Sequence, residues 1–152
     1  MSAASEIDRY SASDRAIQNL IATYAELIDS GDFEGVGRLL EHARFGEGKV
    51  RGADALKEMF EKSVITYEDG TPRTKHVTTN TILDVDDPAG TATARSYFTV
   101  LQALPKLPLQ TIVAGRYADR FELVDGNWRF TERQVSIDLL GDVSHHLRRT
   151  RR

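Results

Sequence analysis

Asp29, His76, Tyr24 and Arg133 are residue types that can together remove and relocate a proton, and Asp29 and His76 stand at unusual places in their segments. Asp29 falls in the last turn of a helical pattern, where the helix dipole disfavours a carboxylate, and it adjoins the apolar stripe through Ile28. It is either an exposed acid beside a turn or an acid that something nearby requires. His76 opens a strand pattern in which Thr78 and Asn80 alternate with it, so one face offers an imidazole, a hydroxyl and a carboxamide in a row. That is a polar lining, although a histidine at a strand end also suits the surface or a satisfied core position. Tyr24 shares the helix of Asp29, about 140° around its axis, so the two flank a pocket at the helix end, or Tyr24 simply packs the core. Asp119 has the parity of Val113, Tyr117, Phe121 and Leu123. A carboxylate on such an apolar strand face must be paired, an arginine being the natural partner, or point into a wet cavity.

Other chemistries lack their residues. Cysteine is absent, which removes disulfides, thiolate metal sites and a cysteine nucleophile and favours a reducing compartment. His42 lies at a helix end and His145 and His146 in the tail; no pair has the spacing of a zinc helix motif, so no metal site is expected. Dinucleotide, P-loop, serine-hydrolase and EF-hand motifs are missing too, and no cofactor is called for. Twenty Lys and Arg against 23 Asp and Glu give a charge of −3, which argues against nucleic acid as a partner. Arg148, Arg149, Arg151 and Arg152 form a basic end, read as a solvated tail or as a contact with a polyanion or partner subunit. Without a signal-like start or a membrane-length apolar run, a soluble cytoplasmic protein with no membrane contact is expected.

The elements that must position these groups are legible from periodicity. The 152 residues make one domain: a loose leader over 1–12, the fold over 13–143, and the basic tail over 144–152. Ile17, Leu20, Ile21, Tyr24, Leu27 and Ile28 recur on one helical face, capped by Ser13 or Asp14 and ended by Gly31. Asp32 caps a short second helix burying Phe33, Val36, Leu39 and Leu40, weakened by Gly35 and Gly37. After a glycine-rich loop, Leu56, Met59 and Phe60 mark a third helix.

Four β-rich runs follow, 74–85, 91–103, 109–124 and 127–140, with Asp125-Gly126 as the strongest hairpin signal. Helices followed by antiparallel strands define an α+β domain, with strands long enough to curl. In the last run Trp128 and Phe130 have one parity while Val135, Ile137 and Leu139 have the other. A β-bulge between Thr131 and Gln134 is therefore expected, turning Arg133 to the same concave side as Trp128.

The stretches Tyr24-Ala25-Glu26-Leu27-Ile28-Asp29-Ser30-Gly31-Asp32-Phe33, Thr74-Lys75-His76-Val77-Thr78-Thr79-Asn80, Gly115-Arg116-Tyr117-Ala118-Asp119-Arg120-Phe121 and Trp128-Arg129-Phe130 through Gly141-Asp142 resemble the SnoaL-like branch of the nuclear-transport-factor-2-like superfamily. The resemblance covers residues 13–143. It implies a cone of curved, cystatin-like sheet wrapped around helices, a deep apolar pocket, and a homodimer or homotrimer. Scytalone dehydratase, the bile-acid dehydratase and hexachlorocyclohexane dehydrochlorinase are similar in setting an Asp near the end of the first helix against a His at the start of the sheet, the places of Asp29 and His76. Tyr24 matches a Tyr or Lys position among them, and Arg133 an Arg on the last strand. The second histidine of scytalone dehydratase has no counterpart between Ile82 and Leu140.

The activity so implied is a cofactor-free, dehydratase-like lyase acting on a small hydrophobic cyclic, polyketide- or steroid-like molecule. In it Asp29 orients His76, His76 takes a proton, Tyr24 donates to the departing oxygen, and Arg133 stabilises developing charge. Asn80, Tyr97, Tyr117, Asp119, Phe60 and Trp128 are the expected substrate-binding residues, with Phe98 and Met59 also on the pocket wall. The alternatives are an isomerase or cyclase using the same base, and a non-catalytic binding or assembly module.

Overall fold

Ile17, Ile21, Tyr24 and Ile28 are all buried, and a helix can bury such a stripe only against a facing surface. In a computed structural model, which describes residues 3–149, that surface is the concave side of a curled, unclosed sheet. The elements in order are α1 (Ala3–Asp29), α2 (Phe33–Leu39), β1 (Arg44–Phe45), α3 (Ala53–Ser63), β2 (Thr74–Asp86), β3 (Thr91–Leu104), β4 (Leu107–Val124) and β5 (Asn127–Leu140). The sheet order is β1-β5-β4-β3-β2, with β1 parallel to β5 and the other neighbours antiparallel.

α1 ends where expected and begins earlier. Gly31 takes φ 75°, and its N–H bonds Ile28 O at 3.0 Å while Asp32 N bonds Leu27 O at 2.9 Å, so the last carbonyls are satisfied by a Schellman closure. The leader expected to be loose is helical from Ala3. Its alanines and charged residues favour helix without supplying an apolar stripe, so periodicity alone could not reveal it; Ile7 and Tyr10 are exposed there. Ser13 is consequently no cap: it sits inside α1 and its hydroxyl donates to Asp87 Oδ1 at 2.6 Å.

Asp32 caps α2 as expected, accepting from Gly35 N at 2.8 Å. The glycines that seemed to weaken α2 instead permit its packing. A Cβ at Gly37 would stand 2.4 Å from the backbone oxygen of Ala53, so α2 and α3 meet closer than any side chain allows.

The strands keep to period two along most of their length, and at Thr131 the register slips: Arg120 pairs with Glu132 but Phe121 with Phe130. That bulge brings Trp128, Phe130 and Arg133 to the buried side together. At the hairpin, Asp125 and Gly126 both have positive φ, which suits the twist of the strands they join.

The chain after β5 is no free tail. Val64 and Leu147 form a bridge, Ile65 N donates to His146 O at 2.8 Å, and Arg148 N donates to Ser63 O at 2.8 Å. Arg148 and Arg149 are exposed, while Arg151 and Arg152 lie outside the described residues. Among the described residues no helix is long and apolar enough to cross a membrane.

The α2–α3 approach is testable. Gly37→Ala should lower unfolding stability in urea by about 1–3 kcal/mol. Gly48→Ala, where the nearest atom to an added Cβ is 3.9 Å away, should change it by less than about 0.5 kcal/mol.

Candidate active site

Asp29 is held by three donors at once. The Schellman closure stops α1 so that the carboxylate faces the start of β2. There Thr74 Oγ1 donates to Oδ1 at 2.9 Å, His76 N donates to Oδ2 at 2.8 Å, and His76 Nδ1 lies 2.6 Å from Oδ1. Burial pushes the Asp29 carboxyl up, but the ring and charge of His76, its backbone N–H and the Thr74 hydroxyl outweigh it and hold the carboxyl below its ordinary range. A carboxylate so placed accepts the Nδ1 proton of His76 and leaves Nε2 with the lone pair.

The His76 ring borders a cavity of about 600 Å³ between the helices and the sheet. Its walls are mostly apolar and include Phe45, Met59, Phe60, Phe98, Val113 and Val135; its polar groups include Tyr24, Tyr117 and His146. Asp29 itself is not on that wall; it stands behind His76 and touches solvent from the other side of the ring. The side chains of both residues are nearly buried, at 8% and 9% exposure.

Tyr24 and Tyr117 meet edge to face, with centroids 5.9 Å apart. Behind them Arg133 is sealed from solvent and bonded at two points to the equally sealed Asp119, Nε to Oδ1 at 2.9 Å and Nη2 to Oδ2 at 3.2 Å. Its guanidinium carbon stands 4.3 Å from the Tyr24 ring centre and 3.6 Å from that of Tyr117. Burial works against the charge on Arg133, yet the Asp119 carboxylate outweighs it and keeps the guanidinium protonated. Burial pushes the Tyr24 hydroxyl up to about 12, with the Arg133 charge pulling the other way, and pushes Tyr117 up as well. Both stay protonated at neutral pH as O–H donors.

These positions revise several expectations. Arg133 does not border the cavity, because it is spent on Asp119 and screened by the tyrosines; it can act on a ligand only through them. Tyr97 is half exposed on the convex face, since period two puts it opposite its neighbour Phe98. Asn80 also leaves the inner face. The β2 register slips between Thr79 and Ile82, and Asn80, with φ 55°, is exposed at the slip. Trp128 is buried near the hairpin turn, at the far end of β5 from the cavity residues Val135 and Ile137. Phe60 and Tyr117 do line the cavity, while Asp119 does not, being paired with Arg133 behind the tyrosines.

Sequence reasoning missed His146. Placed in a solvated tail, it is 6% exposed and on the cavity wall, its ring centre 6.3 Å from that of His76. The available signal was the spacing of Val143, His146 and Leu147, one apolar turn beyond the last strand. Among the described residues no cluster of three His, Asp or Glu side chains could hold a metal ion.

His146 and Asp29 both withdraw stability as the solution is acidified, in successive pH ranges. Burial and the nearby His76 lower His146 from 6.5 to about 4, Asp29 pulling weakly the other way. As pH falls from 6.5 to about 4 the unfolded chain takes up a proton that the folded one refuses. Stability should then decline by on the order of 2 kcal/mol. The contribution of Asp29, whose folded pKa is lowered, persists through this range and is lost only as pH falls below about 4. Urea midpoints recorded across this range should fall for the wild type and fall less for His146→Leu.

A family model described as a SnoaL-like domain matches residues 9–134. Among solved structures, Rv3472, a protein of unknown function from Mycobacterium tuberculosis, is 30% identical with a TM-score of 0.74, over 91% of this chain and 79% of that one. A protein from Novosphingobium aromaticivorans provisionally named a scytalone dehydratase is 24% identical with a TM-score of 0.69, over 88% and 89% of the two chains. LinA is 22% identical with a TM-score of 0.70, over 92% and 95%. The last two likenesses speak to the fold. No curated protein sequence matches the chain. Since the family model spans most of the helical and sheet region just described, the chain belongs to the SnoaL-like family, within the nuclear-transport-factor-2-like fold.

Proposed function

We propose that the cavity is the active site of a lyase that removes a proton and a leaving group from a small hydrophobic cyclic molecule of polyketide or steroid type. The observation behind this reading is the 2.6 Å contact between Asp29 and His76 Nδ1, with the ring at the edge of an apolar cavity. A binding pocket has no need of a triply held carboxylate behind its one oriented imidazole; a general base does. The family likeness to dehydratases supports the same reading.

In this mechanism His76 Nε2 takes the proton from a carbon activated by a neighbouring carbonyl. The Asp29 carboxylate stabilises the imidazolium that forms. The electron pair of the C–H bond becomes the new C=C bond as the adjacent carbon–oxygen bond breaks, and the proton on His76 passes to the departing hydroxide as water. No oxidant or reductant enters. The Tyr24 and Tyr117 hydroxyls donate to the developing oxyanion, with the charge of Arg133 behind their rings making them better donors.

A suitable probe is the hydroxytetralone bearing its hydroxyl β to the carbonyl, which becomes a fluorescent naphthol on losing water. His76→Ala should lower its turnover by about 10²–10⁴-fold, and Asp29→Asn by about 10⁴-fold at most, with circular dichroism unchanged. Wild-type rates in both variants would end the dyad reading.

A further inference from the structure

His146 is the buried polar group on the cavity wall that the mechanism above does not use. The protein holds its backbone firmly. Its carbonyl accepts from Ile65 N at 2.8 Å, the carbonyl of His145 accepts from Gln102 Nε2 at 3.1 Å and from the Tyr67 hydroxyl, and Leu147 pairs with Val64. The side chain, by contrast, is given nothing: Nδ1 is enclosed and has no hydrogen-bond partner among the described residues. An imidazole fixed in place with one ring nitrogen closed off from water and unpaired destabilises the fold that contains it. Leucine or phenylalanine would fill the same space at no such cost, so packing does not account for it.

Its position does. The ring centres of His146 and His76 are 6.3 Å apart at a 66° angle, and both rings line the same cavity. A ligand atom within reach of His76 is therefore within a bond or two of an atom within reach of His146. In a carbonyl compound the carbon that bears the acidic hydrogen and the carbonyl oxygen have that relation.

We propose that His146, through Nε2, the ring nitrogen that is not enclosed, hydrogen-bonds the carbonyl oxygen of the ligand while His76 faces the adjoining C–H, so that the site selects ketones over hydrocarbons of the same shape. This rests on the proton-abstraction reading for its purpose, though the contact itself does not require turnover. Burial and the neighbouring His76 keep the ring neutral down to about pH 4. It therefore serves as a hydrogen-bond donor that does not compete with His76 for the proton, the way a neutral imidazole can polarise a carbonyl.

The test compares α-tetralone with tetralin, its hydrocarbon counterpart, by calorimetric titration. Wild-type protein should bind the ketone about three- to tenfold more tightly. His146→Leu should bring the ratio to about one by weakening the ketone alone, with a thermal midpoint no lower than wild type; His146→Gln, which keeps an N–H donor, should retain part of the preference. A variant-free measurement accompanies this: in the wild type the ring nitrogen signals of His146 should move on adding α-tetralone and stay in place with tetralin. An undiminished ketone preference in His146→Leu, an equal loss for both ligands, or ring signals that ignore the ketone would each overturn the proposal. Deuterium exchange at the α-carbon of α-tetralone reads the base separately. Ketone preference without His76-dependent exchange would uphold the His146 contact and remove the base role from His76.

Discussion

The ion pair of Asp119 and Arg133 sets the terms for the concave face. Both side chains are sealed from solvent. A charge so placed is tolerable only while its partner stays in place; removing one member of such a pair costs about 3–5 kcal/mol. The pair therefore dictates backbone geometry around it. β5 must present Arg133 inward although Trp128 and Phe130 have the other parity, and the bulge at Thr131 reconciles them. Tyr24 and Tyr117 then cover the guanidinium with their ring faces, an arrangement that ties α1 to β4 and forms one wall of the cavity.

The setting of His76 depends on a different polar knot, in which one carboxylate joins the end of a helix to the start of a strand. Asp29 and His76 are 47 positions apart in sequence, and two of the three donors to Asp29 belong to His76. The charge is unfavourable for its own helix end, and the gain lies wholly in the tertiary contact. The polar groups of the cavity divide cleanly: a histidine held by a carboxylate, a pair of protonated tyrosines, and a second, uncharged imidazole beside the first.

What could be read from residues alone followed the range of the physics involved. Strand limits, the bulge near Thr131 and the pairing of Asp119 were legible, because each is a local pattern or a local violation of one, whereas the meeting of Asp29 with His76 was legible only through the family resemblance. Asn80 and Tyr97 were misplaced for reasons of parity: an unforeseen slip in β2 turned Asn80 outward, and Tyr97 alternates with the inward Phe98. The helical start of α1 escaped because its residues favour helix without being buried by it. His146 escaped because its burial depends on long-range backbone bonds to the segment around Ile65 and Ser63, and its only local signal is the single apolar turn of Val143, His146 and Leu147.

A hollow of about 600 Å³ inside a chain of 152 residues is also contact surface that the fold has declined to use on itself. Close-packed interiors gain cohesion from every filled gap, and here part of that cohesion is left for an outside molecule to supply. Because an occupant binds only the folded form, it shifts the folding equilibrium by mass action. The thermal resistance of this protein would then rise with the concentration of any molecule that fills the cavity.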